Sequence, residues 1–222
     1  GLEKRDYEHF IDETNRVNSN PVVYLFDVKD LVIKDLDLGR LEINFGENIS
    51  IANNNVESDG VLLNNVANSF ISSNRISESE VGLDLQNSEE NKIIRNEIFD
   101  NSIGIRAQES DNNLFSDNSI VSSGYEGLSF FSSSNNLIKD NEITESKYYG
   151  LRIMSSQNNK FLHNSVSKSG DSGALIDGIF SPRNIFSFNN FEKNKNFNLI
   201  NMQKFDISAE NIPHQCGSPS LL

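Results

Sequence analysis

Residues 74–120 read NRISESEVGLDLQNSEENKIIRNEIFDNSIGIRAQESDNNLFSDNSI, and within them one pattern occurs twice. Gly82-Leu83-Asp84-Leu85 is followed by Asn91-Lys92-Ile93-Ile94 and Asn96-Glu97-Ile98. Gly104-Ile105-Arg106-Ala107 is followed by Asn113-Leu114-Phe115 and Asn118-Ser119-Ile120. Extended outward, the glycine recurs as Gly60, Gly82, Gly104, Gly127, Gly150 and Gly173, in steps that subtraction gives as 22, 22, 23, 23 and 23. An Asn-x-Ile ladder keeps time with it at Asn74, Asn96, Asn118, Asn141 and Asn164. A fixed period in the low twenties is the mark of a solenoid.

The apolar runs are short and alternate with polar residues, which is the pattern of strands with one buried face. No helical spacing is sustained through residues 31–200. Three short strands per unit cannot bury their apolar side alone, but stacked copies about 4.8 Å apart share a continuous core. A leucine-rich repeat has the same period, yet its L-x-x-L-x-L frame is missing. The expectation is therefore an all-β, right-handed parallel β-helix of about eight rungs, with the hand set by the usual crossover rule. Ile76, Ile98, Ile120, Ile143 and Val166 are expected in one interior column. The glycines are expected at sharp bends, with positive φ or close backbone approach. The ladder asparagines are expected in left-handed turns, bonded to one another along the axis.

The 222 residues read as one domain: an N-terminal cap at 1–30, rungs at 31–205, and a C-terminal cap or tail at 206–222. Gly1 is not a natural start, which points to an excised domain or mature fragment. A hydrophobic content of 36% without Trp is low for a globular core but suffices for a thin solenoid. The net charge of −13 and the absence of a basic stripe argue against nucleic acid or an anionic membrane as partner. No apolar run is long enough for a membrane span. With Cys216 as the one cysteine, no intrachain disulfide framework is available. No cofactor is implied. Acidic turns such as Ser88-Glu89-Glu90 suit Ca²⁺ in charge but lack the calcium-repeat motif and read as solvated loops.

The glycine period aligns an outward face. One column runs Leu62, Asp84, Arg106, Ser129, Arg152, Leu175; a second runs Asn64, Gln86, Gln108, Phe131, Met154, Asp177. A third, two residues before each glycine, runs Ser58, Glu80, Ser102, Tyr125, Tyr148, Asp171. Glu80, Asp84, Arg106, Tyr125, Tyr148 and Arg152 are the candidate ligand-binding residues. Arginine grips carboxylates bidentately, tyrosine faces stack on sugars, and paired carboxylates can do acid–base work. The simpler reading is an exposed cross-strand ion pair between Asp84 and Arg106, with the tyrosines packing at turns. If a glycan binds across this face, removing Arg106 and Arg152 together is expected to weaken binding to an acidic polysaccharide with little loss of stability, since exposed ion pairs contribute about 0–1 kcal/mol.

The run Tyr7-x-His9-x-Ile11-x-x-x-Asn15-x-Val17-Asn18-x-x-Pro21-Val22-x-Tyr24, followed by Gly-Leu-x-Leu and Asn-x-Ile repeats, resembles NosD-like β-helix domains of prokaryotic surface proteins. These are grouped with carbohydrate-binding proteins and sugar hydrolases. The resemblance implies a module at the cell surface or outside the cell that meets a polysaccharide or surface glycan, and we expect a monomer. The best-known member of that class assists copper-site assembly. Copper handling needs clustered His, Met or Cys, and here His9, His163, His214, Met154, Met202 and Cys216 are scattered. Two alternatives stand beside the binding module: a polysaccharide hydrolase, lyase or epimerase using the Asp84–Arg152 face, and a structural spacer.

Overall fold

Every turn of the chain lays down three short strands. In one turn these are Val81–Gln86, Lys92–Ile94 and Glu97–Phe99; in the next, Ile103–Gln108, Leu114–Ser116 and Ser119–Val121. The computed structural model describes residues 3–12, 14–177, 181–201 and 212–213. Like strands of successive turns pair in parallel, building sheets of 10, 9 and 8 strands that wrap one core. The molecule is a parallel β-solenoid of about eight turns. One antiparallel pair among the described residues, Arg16–Val17 against Asn20–Pro21, opens the largest sheet. Among the described residues the sole helical element is a 3₁₀ turn, Lys4–Tyr7.

The constant step puts equivalent side chains in register. Ile76 faces Ile98, Ile98 faces Ile120, Ile120 faces Ile143, and Ile143 faces Val166. All five are buried, as expected from their inward alternation. A second inward column runs Ile71, Ile93, Phe115, Ile138, Phe161, Phe186. Its phenylalanines knit the later turns together: Phe115 meets Phe130 edge-on at 5.4 Å and Phe161 stacks on Phe186 at 4.5 Å.

The corners are held by polar ladders. Asn118 is typical. Its Nδ2 donates to Asn141 Oδ1 (2.9 Å) and to the Ile93 carbonyl (2.9 Å), while its Oδ1 accepts from the backbone N–H and Nδ2 of Asn96, both at 3.0 Å. A second column, Asn91, Asn113, Asn136, Asn159 and Asn184, accepts from successive backbone N–H groups at another corner. Buried amides are thereby satisfied where the chain leaves each strand.

One expectation about the turns changes. The left-handed residue is not the ladder asparagine but the one before it: Ser73, Arg95, Asp117, Asp140 and His163 have φ between 54° and 56°. The bend is made one residue early so that the amide can point inward. Of the six periodic glycines, only Gly60 has positive φ. The others serve close approach: a Cβ on Gly104 would lie 2.4 Å from Ile120 Cγ2 and 2.5 Å from the Gly127 carbonyl oxygen.

The strand Asn20–Lys29, within the segment assigned to the N-terminal cap, already pairs in parallel with Arg40–Glu47. Residues before it fold back over the outward side of those first strands. Tyr7 packs edge-on against Phe45 at 5.6 Å, and the Tyr24 hydroxyl donates to the Tyr7 carbonyl. Lys4 lies over the rings of Phe45 and Phe26 and pairs with Asp27 at 2.7 Å. The head of the largest sheet is therefore covered by its own chain, and the open face begins on later turns. The C-terminal cap or tail expected at 206–222 lies outside the described residues except for Ile212–Pro213, which pairs with Asn190–Phe191.

Candidate functional site

The largest sheet presents the aligned columns in the expected register: Leu62, Asp84, Arg106, Ser129, Arg152 and Leu175 follow one another across neighbouring strands. Asp84 and Arg106 face each other directly. Arg106 Nε donates to Asp84 Oδ1 at 2.9 Å and Nη2 to Oδ2 at 2.6 Å, while Gln86 adds a bond to Oδ2 at 2.8 Å. The bonds that Arg106 donates to Asp84 favour its charged guanidinium, outweighing the partial burial that opposes it.

The pair exists as the sequence suggested, but it is not a solvent-exposed one. The Asp84 side chain is 9% exposed and that of Arg106 32%. Arg152 makes a second such bridge with Nη1 donating to Glu126 Oε1 at 2.7 Å, and the Glu126 side chain is 10% exposed. The expectation that both arginines can be removed at little cost is therefore corrected. Each removal strands a nearly buried carboxylate, so the cost lies above that of an exposed pair. Glu126 lies outside the three aligned columns because it sits directly before its glycine. That position runs Asp59, Val81, Ile103, Glu126, Tyr149 and Ser172, and Glu126 is its one carboxylate in mid-rod.

Glu80 is exposed and lines a shallow depression of about 220 Å³ with Arg40, Asp59, Asp84 and Arg106. Tyr125 and Tyr148 stack at 5.7 Å with their planes 14° apart, and are 54% and 42% exposed. They are turn residues, as the simpler reading had it, but they project a bare aromatic surface. Phe131, 42% exposed, stands on the same sheet. Tyr149 lies about 6.0 Å from the Arg152 guanidinium carbon. Burial first, and the Asp171 carboxylate second, push its phenol above the ordinary tyrosine value. The structure thus gathers Glu80, Asp84 and Arg106 around one depression, sets Tyr125 and Tyr148 side by side, and engages Arg152 with Glu126. It does not converge the six on one reacting point.

The chain matches the family described as periplasmic copper-binding protein (NosD) over residues 13–211, and it belongs to that family. No curated protein matches it. Its fold is similar to that of several solved structures. The periplasmic alginate epimerase AlgG is 15% identical with a TM-score of 0.56, covering 86% of this chain and 50% of that one. The DFA-IIIase of Arthrobacter chlorophenolicus A6, in complex with GF2, is 15% identical with a TM-score of 0.67, covering 90% and 58%. The tailspike protein gp49 of Pseudomonas phage LKA1 is 11% identical with a TM-score of 0.57, covering 81% and 32%. This chain therefore spans between a third and three fifths of their lengths. The copper of the family description finds no ligand set among the described residues, where no three of His, Cys, Asp and Glu gather as a metal site would need. His163 stacks on Phe188 at 5.1 Å, and His9 lies against Tyr24 at the other end of the rod. Met202, His214 and Cys216 lie outside the described residues.

Proposed function

We propose that this NosD-family domain is a non-catalytic glycan-binding module, acting as one solenoid unit and as a monomer outside the cytoplasm, at the cell surface or in the periplasm. The observation that carries the reading is the exposed Tyr125–Tyr148 stack beside a long regular face whose charges are already paired. Aromatic faces bind pyranose rings through their apolar side, and a flat file of strands suits a polymer lying across several rungs. The family description of periplasmic proteins supports the location.

Catalysis on a glycosidic bond or a uronate needs a carboxylate or phenol free to move a proton. Asp84 and Glu126 are each bonded to a guanidinium and must break an ion pair to do so, and the exposed Glu80, Tyr125 and Tyr148 do not converge with them on one reacting point. The test is a glycan array with the isolated domain, followed by a product-release assay on every hit. Binding without turnover is the expected result. Released product would put the polysaccharide-active enzyme first, and an array without hits would put the spacer first.

A further inference from the structure

The turn that leads into the largest sheet lengthens by one residue in mid-rod, and the change builds a ledge. Val121 is in register with Phe99, 22 residues away, whereas Leu128 is in register with Ile105, 23 residues away. One extra residue has therefore entered between them. The lengthened turn is tied down by the Gly124 N–H donating to the Asn101 carbonyl (2.8 Å) and the Tyr125 N–H donating to that of Ser102 (2.7 Å). The following turn keeps the added residue, and Tyr148 stacks on Tyr125 along the rod axis.

Stacking on successive rungs fixes which side of each ring is free. One face of Tyr125 is covered by Tyr148, so its other face looks down the axis toward the shorter turns. On those turns lies an open hollow of about 560 Å³ lined by Glu78, Glu80, Asp100, Asn101, Ser102 and Gly124, which borders Tyr125 through its chain neighbour Gly124 and through Ser102, one rung below it. Its size falls within the roughly 300–1,000 Å³ of small-ligand sites. None of its lining residues is basic. The Asn101 amide is already spent on the Ile76 and Phe99 carbonyls and on the Ser79 N–H, so polar contact with a ligand falls to the carboxylates and serines.

We infer that this hollow is a saccharide subsite in which a pyranose ring without acid groups, an amino sugar above all, stacks on the free face of Tyr125. Sugar hydroxyls and an ammonium group donate to Glu78, Glu80 and Asp100, where charge-assisted bonds are strongest. A uronate would bring its carboxylate against three of the same sign. The inference rests on the glycan-binding reading above and narrows it to one place and one sugar class.

The experiment is calorimetric titration of the domain with hexamers of glucosamine, N-acetylglucosamine and mannuronate. Wild type is expected to bind glucosamine most tightly, N-acetylglucosamine more weakly, and mannuronate not at all. Tyr125→Ala, at a half-exposed ring, should raise the Kd for both amino sugars by roughly tenfold with only a small fall in the denaturant midpoint, from the lost stack on Tyr148. Glu80→Gln should weaken glucosamine more than N-acetylglucosamine. Non-specific attraction of a cationic hexamer to the acidic chain would survive Tyr125→Ala, and that result overturns the subsite. So does mannuronate binding as well as glucosamine. Glycan binding that ignores Tyr125→Ala but is lost in Phe131→Ala overturns the subsite and keeps the module. Failure of every glycan, on the array and in titration, overturns both.

Discussion

Replacing Asn118 by alanine removes one rung of the ladder in mid-rod, and the structure says what is lost. The Asn96 N–H, whose partner is Asn118 Oδ1 at 3.0 Å, is left buried without an acceptor. The Ile93 carbonyl loses the 2.9 Å bond from Nδ2. Two further groups are cushioned: Asn96 Nδ2 still reaches the Ile71 carbonyl, and Asn141 Oδ1 still accepts from the Asn118 N–H, both at 3.0 Å. One orphaned buried donor costs about 1–3 kcal/mol and one lost net bond about 1 kcal/mol. The expected loss is therefore about 2–4 kcal/mol. Because each turn contacts only its neighbours, a weak middle rung also lowers cooperativity. Urea unfolding followed by circular dichroism should show a lower midpoint and a broader transition. The control is Asn55→Ala, whose amide makes an exposed 3.3 Å bond to Asp37 and should cost under about 0.5 kcal/mol. An Asn118→Ala midpoint no lower than that of Asn55→Ala would refute the claim that the ladder is a buried, satisfied network.

Gly104→Ala should destabilise by about 1–3 kcal/mol, since its Cβ would meet Ile120 and the Gly127 backbone. Gly124→Ala should be tolerated, its nearest contact being Ser102 Cα at 3.3 Å; equal midpoints for the two would contradict the packing role. Arg106→Ala, which leaves Asp84 nearly buried with only Gln86 bonded to it, should cost about 1–3 kcal/mol, between the ranges for exposed and buried pairs, and Arg106→Ala with Asp84→Leu should recover part of it. Tyr24 and Tyr149, both raised from 10.0 chiefly by burial, should ionise later than an ordinary tyrosine when absorbance is followed from neutral to alkaline pH. Their folded-state values exceed the unfolded one, so their contribution is intact below about 10 and is lost as pH rises through the raised values; a midpoint flat through that alkaline window would contradict it.

The fold was legible because a solenoid repeats its reasons. Ile98 must face inward by alternation, and a step of 22 or 23 residues then forces Ile120 and Ile143 beneath it. The outward column from Leu62 to Leu175 was equally forced, and so was the meeting of Asp84 with Arg106. What stayed hidden depends on how backbone and side chains settle once the rungs are stacked. Whether a corner bends at Asn96 or at Arg95 is decided by which placement lets the amide reach its neighbours, and periodicity is the same for both. Arg152 pairs with Glu126 rather than with a partner in its own column, a choice made by reach across the strand. The folding of Tyr7 and Lys4 over Phe45 and Phe26 joins residues whose separation obeys no repeat. The step from 22 to 23 is plain in the chain, but only the stacked rungs turn that one residue into a ledge with a hollow beneath it. Sequence sets which residues share a column, because strand alternation and a fixed period are local rules. Tertiary structure sets which neighbours they touch and which faces stay bare, because those follow from where the remaining backbone goes.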